Sequence, residues 1–133
     1  MLTHDRLIRL CNARNALRVT GEAALSIDEI AQAAAMSRFH FVRQFKALFG
    51  ETPVQLRTKA RLDEARHQLI FTDAPITEIC MAVGFSSLGS FSALFSSRFG
   101  RSPSQFREAL SHVPEQVYPD CQSDLRAAWE AGA

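Results

Sequence analysis

Phe39, Val42, Arg43 and Lys46 lie within one short stretch and carry the most suggestive chemistry in this sequence. At about 100° per residue they fall on one side of the Ser37–Phe49 segment, whereas Phe41, Phe45, Leu48 and Phe49 gather on the other and read as core. An outward-facing aromatic beside a guanidinium and an ammonium is unusual for a merely solvated surface. A guanidinium donates two parallel hydrogen bonds to a guanine edge, apolar groups pack on thymine methyls, and cations meet phosphates. That face therefore has the chemistry of a helix lying in a DNA major groove. Arg43 is the candidate for guanine, Phe39 and Val42 for thymine methyls, and Arg38 and Lys46 for phosphates. His40 points to the flank, where a surface or hydrogen-bonding role suits it better than a metal or catalytic one.

Other reactive side chains offer less. The 3 cysteines, Cys11, Cys80 and Cys121, are odd in number and lack a CxxC spacing, which fits reduced thiols. Cys11 falls on an apolar stripe and Cys80 in a core helix, with no base beside either in sequence, so both read as small buried hydrophobes rather than nucleophiles. Paired carboxylates, a glycine-rich phosphate loop and metal-ligand spacing are all missing, so no catalytic residue, cofactor or metal is expected and the chain is not read as an enzyme. With 47% hydrophobic and 22% charged residues the composition is that of a globular protein rather than a disordered one. The sequence has no apolar run of about 18 residues and no secretion signal at its start, so a cytoplasmic, nucleoid-associated location and no membrane contact are expected. The net charge of +1 hides an asymmetry. From Ser37 to His67 there are seven basic residues and three acidic ones, and after Pro114 four acidic and one basic.

The elements that must position these side chains come in two copies. Ile27, Glu29, Ile30, Ala33 and Ser37 recur 49 residues later as Ile76, Glu78, Ile79, Ala82 and Ser86. Phe41, Phe45, Phe49, Gly50, Pro53, Gln55 and Arg57 recur 50 residues later as Phe91, Phe95, Phe99, Gly100, Pro103, Gln105 and Arg107. The one-residue insertion follows the shared Ser, in a turn, where insertions are tolerated. Ser26 with Glu29 forms a capping box that starts a helix, the chain turns at Ala35–Met36, and Ser37 caps the next helix. Gly50 stops that helix and Thr52-Pro53-Val54-Gln55 restarts one, a device repeated at Gly100–Gln105. These signals predict an all-α protein of about seven helices: two helix-turn-helix subdomains joined by a long linker helix, with no strand. The expected boundaries are a leading helix and loop at 1–25, a first helix-turn-helix at 26–52, a linker at 53–74, a second helix-turn-helix with a closing helix at 75–111, and an acidic tail at 112–133. The linker is expected from Pro53 to about Phe71, a rigid strut of about 27 Å, and the leading helix from roughly Thr3 to Val19. The tail is expected to hold at most one helical turn, near Leu125–Trp129.

The second outward face differs. Phe91, Leu94, Phe95 and Phe99 are its expected core residues, with Arg98 toward that side. Outward it offers Gly89, Ser92, Ala93 and Ser96, flanked by Leu88 and Ser90. None can make an arginine-type base contact. The candidates here are Ser87, Leu88, Gly89, Ser90 and Ala93, acting by close backbone approach, a thymine-methyl contact from Leu88, and hydroxyls or helix N-terminal amides on phosphate. The first unit is expected to supply most base discrimination and the second to position the protein.

The segments Ile27–Ala31, Met36–Phe41, Phe45–Lys46 and Phe49–Gly50, then Ile76–Ile79, Val83–Ser87, Phe91, Phe95 and Arg98–Arg107, resemble the DNA-binding domain of the AraC/XylS transcription regulators over about residues 22–110. The resemblance implies seven helices, recognition helices in successive major-groove segments on one DNA face, and base contacts at Phe39, Val42 and Arg43 and at Leu88, Gly89, Ser90 and Ala93. It implies sequence-specific binding of double-stranded DNA in transcription regulation, with RNA polymerase as a candidate second partner. Only about 25 residues precede the first unit, which is the length of a stand-alone domain or of one cut from a longer protein; the opening Met slightly favours the former. A stand-alone domain is expected to act as a monomer on an asymmetric site. Two other classes compete: an interaction protein that kept the fold but lost DNA affinity, and a thiol-based alkyl acceptor. A salt titration of binding and thiol-reagent kinetics separate them from the leading reading.

Overall fold

The computed structural model describes residues 3–111, so the acidic tail and its expected turn lie outside the described residues. The described residues form seven α-helices and one short 3-10 turn, with no strand: α1 (His4–Leu17), the turn Gly21–Ala23, α2 (Ile27–Ala33), α3 (Arg38–Phe49), α4 (Pro53–Phe71), α5 (Ile76–Ala82), α6 (Leu88–Phe99) and α7 (Pro103–Ser111). The expected all-α architecture is present, with the long helix α4 between two helix-turn-helix pairs. The leading helix is shorter than the expected Thr3–Val19, because Thr3 caps it and Arg18 closes it. The chain divides into two compact units, one ending at Arg61 and the other starting at Leu62.

The helix boundaries follow from local chemistry. Ser26 Oγ accepts a hydrogen bond from the Glu29 amide at 3.1 Å, and Ser37 Oγ accepts one from the His40 amide at 3.3 Å. The restart device works as a reciprocal box in both copies. Thr52 Oγ1 accepts from the Gln55 amide (3.2 Å) while the Thr52 amide donates to Gln55 Oε1 (2.9 Å). Ser102 and Gln105 repeat this at 3.2 and 3.1 Å. Gly50 and Gly100 both sit at φ 79° and end their helices in the left-handed region.

Each unit closes around its own aromatic core. In the first, Leu10, Leu17, Ile30, Phe41, Phe45 and Leu56 are buried together. In the second, Leu62, Leu69, Ile79, Val83, Phe91 and Phe95 are. The phenylalanine ladders match: Phe45–Phe49 and Phe95–Phe99 both have ring centroids 4.6 Å apart. The structure also reveals a third register of the repeat. Leu10, Ala13, Arg14 and Leu17 of α1 recur 52 residues later as Leu62, Ala65, Arg66 and Leu69 of α4. Arg14 lies over the Phe49 ring at 4.6 Å and Arg66 over Phe99 at 4.7 Å. Helix α4 therefore plays two parts. Its first half closes the first unit as α7 closes the second, and its second half opens the second unit as α1 opens the first.

Candidate nucleic-acid interface

In the first unit, α2 and α3 are joined by a turn in which Ala35 takes φ 57°. The Met36 amide reaches back to the Ala31 carbonyl (3.0 Å) and the Ala35 amide to Gln32 (2.9 Å), which satisfies the end of α2. Arg9 of α1 donates to the Ala34 carbonyl at 3.2 Å and ties the turn to the leading helix. With Phe41 and Phe45 buried, the opposite side of α3 must face outward. Phe39 is 66% exposed there, far more than a ring of that size retains when packing decides its place. Arg38, Arg43 and Lys46 are exposed and Val42 is half-buried. Val42, Arg43, Lys46 and Ala47 line a shallow depression on this face.

These side chains are not equivalent electrostatically. Arg38 is held by Asp28 of α2 at 3.1 Å, so its charge is already partnered. No ion pair among the described residues engages Arg43 or Lys46. The Arg43 guanidinium instead lies 5.5 Å from the centre of the Phe39 ring. His40 meets that ring edge-on, with centroids 5.9 Å apart. The face is therefore a ring and a guanidinium set side by side, with free positive charge one turn further on.

In the second unit, α5 and α6 repeat the geometry with different chemistry. The Phe85 amide bonds Cys80 O (3.0 Å) and the Gly84 amide bonds Met81 O (3.1 Å), with Gly84 at φ 108° where the first unit has Ala35. Ser87, Leu88, Gly89, Ser90 and Ala93 are all exposed on α6 or at its cap. Ser87 Oγ accepts from the Ser90 amide at 3.3 Å, so this hydroxyl is engaged as the helix cap. Among the described residues a Cβ at Gly89 would meet only Ser87 Oγ, at 3.7 Å, an ordinary contact, so their packing does not require glycine there. Leu94, expected in the core, is 40% exposed: α6 turns Phe91 and Phe95 fully inward, and Leu94 falls at the rim. The end of α6 is held by Arg98, whose Nε and Nη2 donate to the two carboxylate oxygens of Asp63, both at 3.0 Å. The matching positions of the first unit are Leu48 and Cys11, neither of them charged, so this ion pair belongs to the second copy.

A family model described as a helix-turn-helix domain matches residues 30–109. A solved transcriptional regulator from Chromobacterium violaceum, described as containing an AraC-type DNA-binding domain, is similar with a TM-score of 0.70 and 30% identity, over 81% of this chain and 96% of that one. The chain belongs to the AraC-type helix-turn-helix family. This AraC-type domain is also similar to the DNA-binding domain of AdpA, solved in complex with a target DNA, with a TM-score of 0.67 and 25% identity over 85% of this chain and 99% of that one. Among curated proteins it is 35% identical to the MmsAB operon regulatory protein of Pseudomonas aeruginosa over 88 residues, 66% of this chain and 29% of that protein. It spans about a third of the length of the curated relatives it matches first. The family is one of transcription regulators and not of enzymes.

Within the AraC-type domain, the five first-unit candidates share one face of α3 or its first turn, and the five second-unit candidates share the first turns of α6. What sequence reasoning missed is the state of Arg38, since its partner Asp28 lies 10 residues away on another helix and no local pattern pairs them. It also missed Ala47, whose membership of the outer face was legible at i+4 from Arg43. Among the described residues no group of three or more His, Cys, Asp and Glu could hold a metal, and no helix is long and apolar enough to cross a membrane.

Proposed function

We propose that this AraC-type domain regulates transcription by binding double-stranded DNA in a sequence-dependent way, with the first unit dominating base readout. One observation carries the reading: Phe39, two-thirds exposed, lies against Arg43, which has no ion-pair partner among the described residues, on the outer face of α3. Burying Phe39 and satisfying Arg43 both require a partner that offers apolar and acceptor groups together, as a major groove does. Arg43 reads a guanine edge, Phe39 and Val42 pack on thymine methyls, and Lys46 meets phosphate. Arg38 contributes as a charge already shared with Asp28. In the second unit Ser90 and the amides at the start of α6 bond phosphate, Leu88 touches a methyl, and Gly89 and Ala93 let the helix backbone come close. Ser87 acts mainly as the cap.

The short, uncharged outer face of α6 favours a second reading, an interaction module without DNA affinity. A salt titration on duplexes selected from a random pool separates the two. A DNA binder loses affinity with a log–log slope of about −0.9 per phosphate contact, and an interaction module selects no duplex at all. On a selected duplex, Arg43→Ala is expected to cost about 1–3 kcal/mol and to relax preference at one base pair. Ser90→Ala should weaken all sequences alike. If Ser90→Ala abolishes preference while Arg43→Ala leaves it intact, the division of labour is reversed.

A further inference from the structure

We infer that Phe39 and Arg43 act as one composite reader of a two-base step, a guanine beside a 5-methylpyrimidine, so that the protein accepts 5-methylcytosine in place of thymine. The inference rests on the DNA-binding reading and deepens it. Three observations carry it. First, the pair lies together on the helix face: the guanidinium is 5.5 Å from the ring centre, and the His40 ring meets the same ring edge-on. A ring accepts no hydrogen bond of the strength a guanine edge offers, so beside it the guanidinium keeps its donor fork for bidentate donation to guanine O6 and N7. Second, Arg43 has no acidic partner among the described residues, whereas Arg38 one turn away is tied to Asp28. The fork is therefore available without breaking an ion pair. Third, the fold does not need the pair. The positions 50 residues on are Gly89 and Ala93, and the second unit keeps the same core and the same caps without a ring or a cation there. The pair is thus a surface feature added to one copy of a scaffold that stands without it.

The two groups are held side by side, so when the guanidinium is on guanine the ring edge lies over the adjacent base pair. What an apolar ring recognises in the major groove is the C5 methyl, carried by thymine and by 5-methylcytosine and absent from uracil and cytosine. Removing that one methyl is worth about fourfold in affinity when it is fully covered.

The experiment uses the full chain and a duplex enriched from a random pool, with the base-pair preference lost in Arg43→Ala marking the guanine. Thymine next to that guanine is replaced by uracil, which deletes the methyl and keeps Watson–Crick pairing, or its base pair by 5-methylcytosine·guanine or cytosine·guanine. Wild type is expected to lose about two- to fourfold with uracil and to prefer 5-methylcytosine over cytosine by a similar factor. Phe39→Ala should bind more weakly and be indifferent to both methyls while keeping its preference for the guanine. Phe39 is exposed, so an unchanged circular dichroism melt of Phe39→Ala excludes a folding defect. A bound duplex on which uracil is silent, or on which Phe39→Ala loses as much as wild type, overturns the composite reader and leaves DNA binding standing. A pool from which no duplex is enriched overturns the DNA-binding reading, and the inference with it.

Discussion

Ala35 shows how one residue can carry a local cost that the repeat makes visible. It occupies the left-handed region at φ 57° where the second unit has Gly84. That conformation costs an L-residue about 1–2 kcal/mol, and glycine adopts it freely at a chain-entropy cost of about 0.5–1 kcal/mol. Ala35→Gly should therefore stabilise the protein by roughly 0.5–1 kcal/mol, read as a higher urea midpoint with an unchanged slope. Because Ala35 is exposed, an unchanged or lower midpoint would mean that its turn is not strained. Cys80 illustrates the opposite kind of legibility. The sequence places it in a core helix, and it is 1% exposed. Burial raises its thiol pKa, so the folded protein holds the proton where the unfolded chain would release it, and the associated stability is lost as pH rises through the folded value. The thiolate, the reactive form, is suppressed, which argues against a nucleophilic role.

At the scale of elements, helix starts and stops were readable because their causes are local. Thr52 with Gln55 and Ser102 with Gln105 make the same two bonds within 0.2 Å of each other (2.9 against 3.1 Å for the amide-to-glutamine bond). Thr52→Ala and Ser102→Ala should thus each cost about 1 kcal/mol, by matching amounts in chemical denaturation. A large inequality would show that tertiary context, not the cap, sets their value. The partners of Arg57 and Arg107 were not readable in this way. Arg107 donates to the Thr72 and Ala74 carbonyls and so satisfies the exit from α4. Its repeat partner Arg57 is more deeply enclosed, 6% exposed, yet its Nε and Nη2 meet no acceptor among the described residues. Burial first and the Arg61 charge second lower the Arg57 pKa. The chain ahead of α2 is longer than that ahead of α5 and folds into the Gly21–Ala23 turn, so the two copies present different carbonyls.

At the scale of the whole molecule, each unit has its own aromatic core, with no side chain in common among the described residues. Units of about 60 residues are marginal, burying only about 60% of their unfolded surface. A single large cavity should therefore unfold one unit. Phe41→Ala, at about 3–5 kcal/mol, is expected to abolish hydrogen-exchange protection in α1–α3 while α5 and α6 remain protected, and Phe91→Ala to do the converse. Loss of protection throughout in either variant would mean that α4 couples the units into one cooperative block.

The amino-acid sequence by itself determined the helical class, the caps and the inward faces, because each depends on residues within four positions of one another, and the duplication, because matching residues recur 49 or 50 positions apart. It also singled out Phe39 and Arg43, since side chains at i and i+4 must share a helix face. Only the tertiary structure decided which arginines are partnered. Asp28 claims Arg38, Asp63 claims Arg98, and no acid among the described residues pairs with Arg43, and these pairings are set by how separate helices cross rather than by spacing along the chain. The double role of α4 likewise emerged only from packing. Its match to α1 rests on Leu10, Ala13, Arg14 and Leu17, a pattern too sparse to stand out until both helices are seen to cover the same kind of core.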